Sequence, residues 1–145
     1  MVTLIGMGSG KWEALSEQAQ QAVRSAGLVF GAKRLLAGLP ADCTARQFAL
    51  YQPADILETL AQNPGQDAVV LYSGDTGFYS GASGLLTPLR ALGIPARVYP
   101  GVSSIQLLSA ALGRPWQDWK LVSAHGCACD PVAECMMNRS VFFLT

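Results

Sequence analysis

The sequence predicts an α/β protein: a parallel, doubly wound N-terminal domain over residues 1–99, followed by a second, incomplete α/β domain over residues 100–145. Three observations carry this. Short apolar runs alternate with helix-period segments from one end to the other, as successive βαβ units do. The run "DAVVLY" at 67–72 is apolar almost without a break, like a strand buried on both faces. The chain also stops at Thr145, inside the apolar run "SVFFLT", with no helix after it to cover that strand. A truncated second domain is therefore expected.

Each element has its own signal. "VTLIG" opens the chain as a strand. Trp12, Leu15, Ala19, Ala22, Val23 and Ala26 recur at helical spacing, so residues 12–26 read as one amphipathic helix stopped by Gly27. A short strand at Leu28–Phe30 follows, then a turn at Gly31 and a short helix closed by Gly38 and Pro40. "RQFALY" reads as a strand. Pro53 opens a helix that Asn63-Pro64-Gly65 ends. The buried strand breaks at Ser73-Gly74; a helix over "ASGLLTPLRALG" and a strand in "IPARVYPG" come next. Beyond Pro100 the order is helix "VSSIQLLSAALG", strand "KLVSAHG", helix "DPVAECMMN" and the final strand.

The composition narrows the function classes. Ten basic residues balance ten acidic ones, so there is no basic surplus of the kind nucleic-acid or membrane-surface proteins use. No apolar run is long enough to span a bilayer, and no basic segment leads into a signal-type stretch. A cytoplasmic protein is expected. Of the four cysteines, Cys127, Cys129 and Cys135 follow His125 in "HGCACDPVAEC". Zinc knuckles usually space paired cysteines by about two to four residues, and C-x-C is a poorer bite. No metal site is expected, and the cysteines read as small core or loop residues.

Two glycine-rich loops stand out. In "LIGMGSGK" the GK pair suggests a phosphate loop, but Ile5 occupies the position of its first glycine and Trp12 that of its hydroxyl residue. A dinucleotide fingerprint fails as well. Lys11 replaces its third glycine, and residues 26–41 contain no acid to hold a ribose. What remains is G-x-G-x-G between strand and helix, either a tight turn or a ligand cradle. The second loop, "YSGDTGFYSG", follows the buried strand. Both belong at the carboxyl ends of strands, where open parallel sheets bind ligands. A nucleotide-dependent oxidoreductase is disfavoured, while a non-catalytic ligand-binding module stays open.

"GMGSG", "SGDTGFYSG" at 73–81, "PGVSSIQLLSAALGRPWQDW" at 100–119 and "VSAHG" at 122–126, in this order and spacing, resemble the tetrapyrrole (corrin/porphyrin) methylases. "FGAKRLL" at 30–36 and "PGVSSIQL" followed by "SAHG" are most similar to the branch that methylates precorrin-6Y at C5 in cobalamin biosynthesis. The resemblance implies two α/β domains with S-adenosylmethionine in the cleft between them. It implies C-methylation of a corrin precursor, precorrin-6Y or its cobalt form, with another tetrapyrrole as the alternative substrate. Two family prolines are replaced here, by Ser9 in the first loop and Thr76 in the second.

By that resemblance Ser9, Ser73, Gly74, Asp75, Phe78, Ser103 and Ser104 line the cofactor site, with Asp75 facing the cofactor's ammonium or, alternatively, capping the next helix. Gly8, Lys11, Lys33, Arg34 and His125 are the substrate-side candidates, the cations because a corrinoid carries many carboxylates. No nucleophile or catalytic triad is expected, since the cofactor's sulfonium already activates the methyl group. A homodimer is expected, as is a separate subunit for C15 methylation and decarboxylation. Gly74→Val is expected to block the cofactor sterically and leave the fold intact.

Overall fold

The computed structural model describes residues 1–124 and 128–145. The chain divides into two units, Met1–Ser103 and Ser104–Thr145. In the first, strands β1 (Val2–Gly6), β2 (Leu28–Phe30), β3 (Arg46–Phe48), β4 (Ala68–Tyr72) and β5 (Ala96–Tyr99) form one sheet in the order β3-β2-β4-β1-β5. Every pairing is parallel, with Val2 opposite both Ala68 and Ala96.

Alternation along the strands builds two cores. Val2, Leu4, Leu28, Phe30, Ala68 and Val70 point to one face, where Ile56 of helix α3 (Pro53–Ala61) and Leu85 and Leu89 of helix α4 (Ala82–Ala91) cover them. Ile5, Val29, Val69 and Leu71 point to the other, under Ala19 and Val23 of helix α1 (Glu17–Ser25) and Leu35 and Leu36 of helix α2 (Lys33–Leu36). β1, β2 and β4 are thus covered on both sides, while the edge strands β3 and β5 are largely exposed. This is the doubly wound parallel sheet the strand pattern predicts.

Two local expectations need correction. The segment at 12–26 is not one helix. Trp12–Ala14 forms a 3-10 turn, Leu15 is extended, and α1 begins only after Ser16, whose Oγ accepts the Ala19 N–H at 3.3 Å. The apolar period runs through this break, but a serine with a free cap position restarts the helix. The strand in "RQFALY" also ends at Phe48, because Leu50 N–H turns back to the Phe48 carbonyl at 2.8 Å.

In the second unit, helix α5 (Ser104–Leu112) precedes β6 (Lys120–Ser123), helix α6 (Pro131–Met137) and β7 (Val141–Leu144). β6 and β7 pair in parallel, Lys120 opposite Val141 and Ser123 opposite Leu144. Asp130 caps α6, its Oδ1 accepting from Val132 and Ala133 N–H at 3.0 and 3.1 Å. Among the described residues no helix is long and apolar enough to cross a membrane.

The first unit is tightest where β1, β4 and β5 end. A Cβ at Gly6 would lie 2.6 Å from the Gly101 nitrogen and 2.7 Å from the Gly74 oxygen. One at Gly101 would collide with the carbonyl oxygens of both Gly74 and Gly6. These are main-chain atoms of neighbouring segments, so they cannot rotate away as a side chain could. We expect Gly6→Ala and Gly101→Ala each to destabilise by about 1–3 kcal/mol, as overpacking does. Gly84→Ala, at an exposed position of α4 with only Pro53 Cγ at 3.6 Å, should instead stabilise by about 0.5–1 kcal/mol. Urea unfolding of the three variants checks the opposed signs; equal behaviour would remove the close-packing argument.

Candidate functional site

The strand order places the candidate site. From β1 the chain crosses to β2 and β3 by way of α1 and α2, on one face of the sheet. It then returns to β4 and continues past β1 to β5 by way of α3 and α4, on the other face. β1 and β4 are neighbours whose following helices leave on opposite faces. The switch point beyond their carboxyl ends is the usual ligand position in such sheets.

The two glycine-rich loops meet at that point. Met7 N–H donates to the Tyr72 carbonyl at 2.8 Å, which carries the β1–β4 pairing one step past the strands. Gly8 and Gly74 then exchange both backbone hydrogen bonds, at 3.0 and 3.1 Å, as an isolated antiparallel bridge. The geometry that permits this is Gly74's φ of +63°, a left-handed conformation costly for a side chain. The expectation for Gly74→Val is corrected accordingly. A β-branched residue is strained there whatever the space, so this variant tests the loop's backbone as much as ligand access. Steric clash is not the obstacle: a Cβ there would sit in ordinary contact with Ser103 Cα at 3.9 Å and the Val102 oxygen at 4.0 Å.

Asp75 joins a third loop to these two. Its Oδ2 accepts the Gly77 N–H at 2.8 Å, and its Oδ1 accepts the Gly101 N–H at 3.1 Å. The alternative role as a helix cap falls away, because Ser80 Oγ accepts the Ala82 N–H at the start of α4. Between them, Phe78 and Tyr79 pack edge to face with centroids 5.0 Å apart. Ser103 is buried beside Gly74, and Ser104 opens α5 in the second unit.

The cations are placed unevenly. Arg34, near the start of α2, donates from its guanidinium to Ser73 Oγ, which brings it to the rim of the β4 loop. Lys33 and Lys11 are exposed, Lys11 just ahead of the 3-10 turn, and Ser9 is exposed in the first loop. The structure thus gathers Gly8, Ser73, Gly74, Asp75, Arg34 and Ser103 at one set of strand ends. His125 and Cys127 lie outside the described residues. Cys43, Cys129 and Cys135 are free thiols, and no metal-ligating cluster occurs among the described residues.

Sequence reasoning missed Gly6, Gly101 and Tyr72. The position of Gly101 just after a strand was a usable signal, but its collision partners belong to other loops. Tyr72 ends β4 half-buried, and burial pushes its phenol up from 10.0 to about 12.

The chain is similar to known proteins over nearly its whole length. The family model for tetrapyrrole (corrin/porphyrin) methylases matches residues 1–140. The cobalt-precorrin-7 C(5)-methyltransferase of Salmonella typhimurium is 33% identical over 147 residues, covering all of this chain and 71% of its own. A probable enzyme of the same name from Methanocaldococcus jannaschii is 30% identical, over 87% of this chain and 61% of its own. The decarboxylating precorrin-6Y C(5,15)-methyltransferase of a Sinorhizobium species is 32% identical over 86% of this chain, which spans 30% of that protein.

Among solved structures, the precorrin-6Y methylase of Archaeoglobus fulgidus superposes with a TM-score of 0.69 at 20% identity, covering 99% of this chain and 72% of that one. The methyltransferase CobJ gives 0.73 at 23% identity, covering 94% and 60%. The first unit is a doubly wound α/β architecture whose two glycine-rich loops meet at the strand ends. The chain belongs to the tetrapyrrole (corrin/porphyrin) methylases. Its α/β fold class and its methyltransferase class, both expected from sequence, stand with that membership.

The raised Tyr72 phenol makes a prediction. Its folded pKa lies above the unfolded value, so the stability linked to its neutral form is complete below pH 10 and is lost as pH climbs toward 12. Parent and Tyr72→Phe should therefore differ by a constant amount in denaturant titrations below pH 10. Above it the parent should lose ground. Parallel curves up to pH 12 would mean the phenol is as solvated folded as unfolded.

Proposed function

We propose that the protein transfers the methyl group of S-adenosylmethionine to C5 of a corrin precursor, precorrin-6Y or the cobalt form for which its relatives are named. One observation supports the site most directly: in a chain of this family, the paired glycine loops lie at the switch point of the sheet, and Gly74 there presents bare backbone with a φ of +63°. Small and glycine residues there expose backbone to a ligand that a side chain would keep out.

The bound cofactor supplies an activated methyl on sulfur, and the protein's share is to bind and align. Ser9, Ser73, Gly74, Phe78, Ser103 and Ser104 are the residues proposed to hold it. Good alignment of donor and acceptor contributes as much as about 7–11 kcal/mol to such a transfer, so no side-chain nucleophile is required. On the substrate side, Arg34 is the leading candidate for a macrocycle carboxylate. Ser73 already orients its guanidinium, and Arg forks match carboxylates better than ammonium groups do. Gly8, Lys11, Lys33 and His125 complete the proposed substrate side. A second copy of the chain is the proposed oligomeric partner. A separate C15-methylating, decarboxylating protein is the proposed partner in sequence, because the Salmonella and Methanocaldococcus relatives are named for C5 alone.

Titration calorimetry on the whole protein tests the reading. S-adenosylhomocysteine should bind and NAD should not; the reverse result would overturn the methyltransferase proposal. Arg34→Ala should leave S-adenosylhomocysteine affinity unchanged. It should weaken corrinoid binding by about tenfold or somewhat more, the scale of one charge-assisted contact. Equal loss for both ligands would move Arg34 out of the substrate side.

A further inference from the structure

We propose that Asp75 is a positioning residue: a carboxylate clasp that holds the β4–α4 loop against the loop after β5 and so shapes the cofactor cradle, rather than the ion-pair partner of the cofactor's ammonium. This rests on the proposed function only for the identity of the ligand. The clasp itself rests on geometry. The two oxygens of Asp75 are engaged separately, Oδ2 by Gly77 N–H within its own loop and Oδ1 by Gly101 N–H, twenty-six residues away.

Gly101 is one of the glycines whose backbone is pressed against Gly6 and Gly74. Those three backbones attract each other weakly. Their contact brings carbonyl oxygens of Gly6 and Gly74 toward the Gly101 backbone, and glycine offers no side chain to lock it. A charged acceptor binding the Gly101 amide supplies the missing directional tie, since hydrogen bonds to an ionised group are shorter and about twice as strong as neutral ones. The Oδ2 bond closes a local turn across Asp75–Gly77, of the kind Asp side chains form with the backbone two residues on. One side chain therefore sets both the curvature of its loop and that loop's distance from the β5 end. Gly74, beside Val102 and Ser103, is the residue next to Asp75 in the chain, so its position follows where that clasp holds the loop. Removing the clasp should loosen the cradle for any ligand that touches it, charged or not.

The test has a structural arm and a ligand arm, both on the whole protein. Amide hydrogen exchange is measured for Gly77 and Gly101 without ligand, with the amides of β1 as the reference for global stability. In Asp75→Ala both amides should exchange about tenfold faster or more relative to that reference. Asp75→Asn keeps one acceptor oxygen and should protect one of the two. Unchanged protection of both amides in both variants would overturn the clasp.

In the ligand arm, parent and Asp75→Ala are titrated with S-adenosylhomocysteine and with its deaminated analogue, which lacks the ammonium. The clasp predicts the same fold-loss of affinity for both ligands. A loss confined to S-adenosylhomocysteine would make Asp75 the ammonium's partner and overturn the proposal. If the parent binds neither ligand while the amide pattern follows the clasp, the cofactor assignment fails and the positioning role of Asp75 stands.

Discussion

The first unit depends on three chain segments coming closer than side chains permit. At the carboxyl ends of β1, β4 and β5, the backbones of Gly6, Gly74 and Gly101 approach to distances at which a Cβ on Gly6 or Gly101 would overlap main-chain atoms. A sheet can continue past such a point only if neighbouring strands diverge or lose their side chains. Here they lose them. The β1–β4 ladder runs on through Met7 and Tyr72 and then converts into the antiparallel Gly8–Gly74 bridge. That conversion turns both chains out of the sheet plane, and α1 and α4 can then leave on opposite faces. The two loops therefore lie side by side at the switch point, where such sheets usually take a ligand.

Energetically the site is built on unequal supports. Beneath it lie β1, β2 and β4, whose residues alternate between two apolar cores and are buried on both faces. That burial is the large favourable term, at roughly 25 cal/mol per Å² of apolar surface. The loops above have few apolar contacts, and hydrogen bonds hold them: Asp75 to two amides, Arg34 to Ser73, Ser80 to the first turn of α4. Rigid strands with hydrogen-bonded loops at their ends place the adaptable part of the molecule where a ligand arrives.

How much was legible in the sequence differs between these two layers. The strands were, because burial on both faces leaves a near-continuous apolar run in "DAVVLY" and "VTLIG" that few other structures produce. The position of the loops was legible too, since βαβ order dictates which ends they occupy. The boundary at Ser16 was not, because hydrophobic period measures which face is buried and is blind to a cap that restarts the helix. The partners of Asp75 were also out of reach. Glycine, aspartate and glycine within three residues announce a turn, but Gly101 becomes a neighbour only after β5 pairs with β1. Long-range pairing created that contact, and no local pattern encodes it.

Where the resemblance leads one to expect proline, this chain has Ser9 and Thr76, and that difference has a physical reading. Proline stiffens a loop by restricting φ, and it has no N–H to donate. With Ser9 and Thr76 in those places, the chain lacks two covalent restraints on the loops that meet at the strand ends. The Gly8–Gly74 bridge restrains the first loop one residue before Ser9, and the Asp75 carboxylate restrains the second one residue before Thr76. Hydrogen-bonded restraints flank both positions where ring restraints are absent. A loop tied this way holds its shape through groups that respond to a ligand's own donors and acceptors, whereas a proline ring would hold it regardless. Gly74 makes the first tie and Asp75 the second, so the two restraints meet at adjacent residues of the loop after β4.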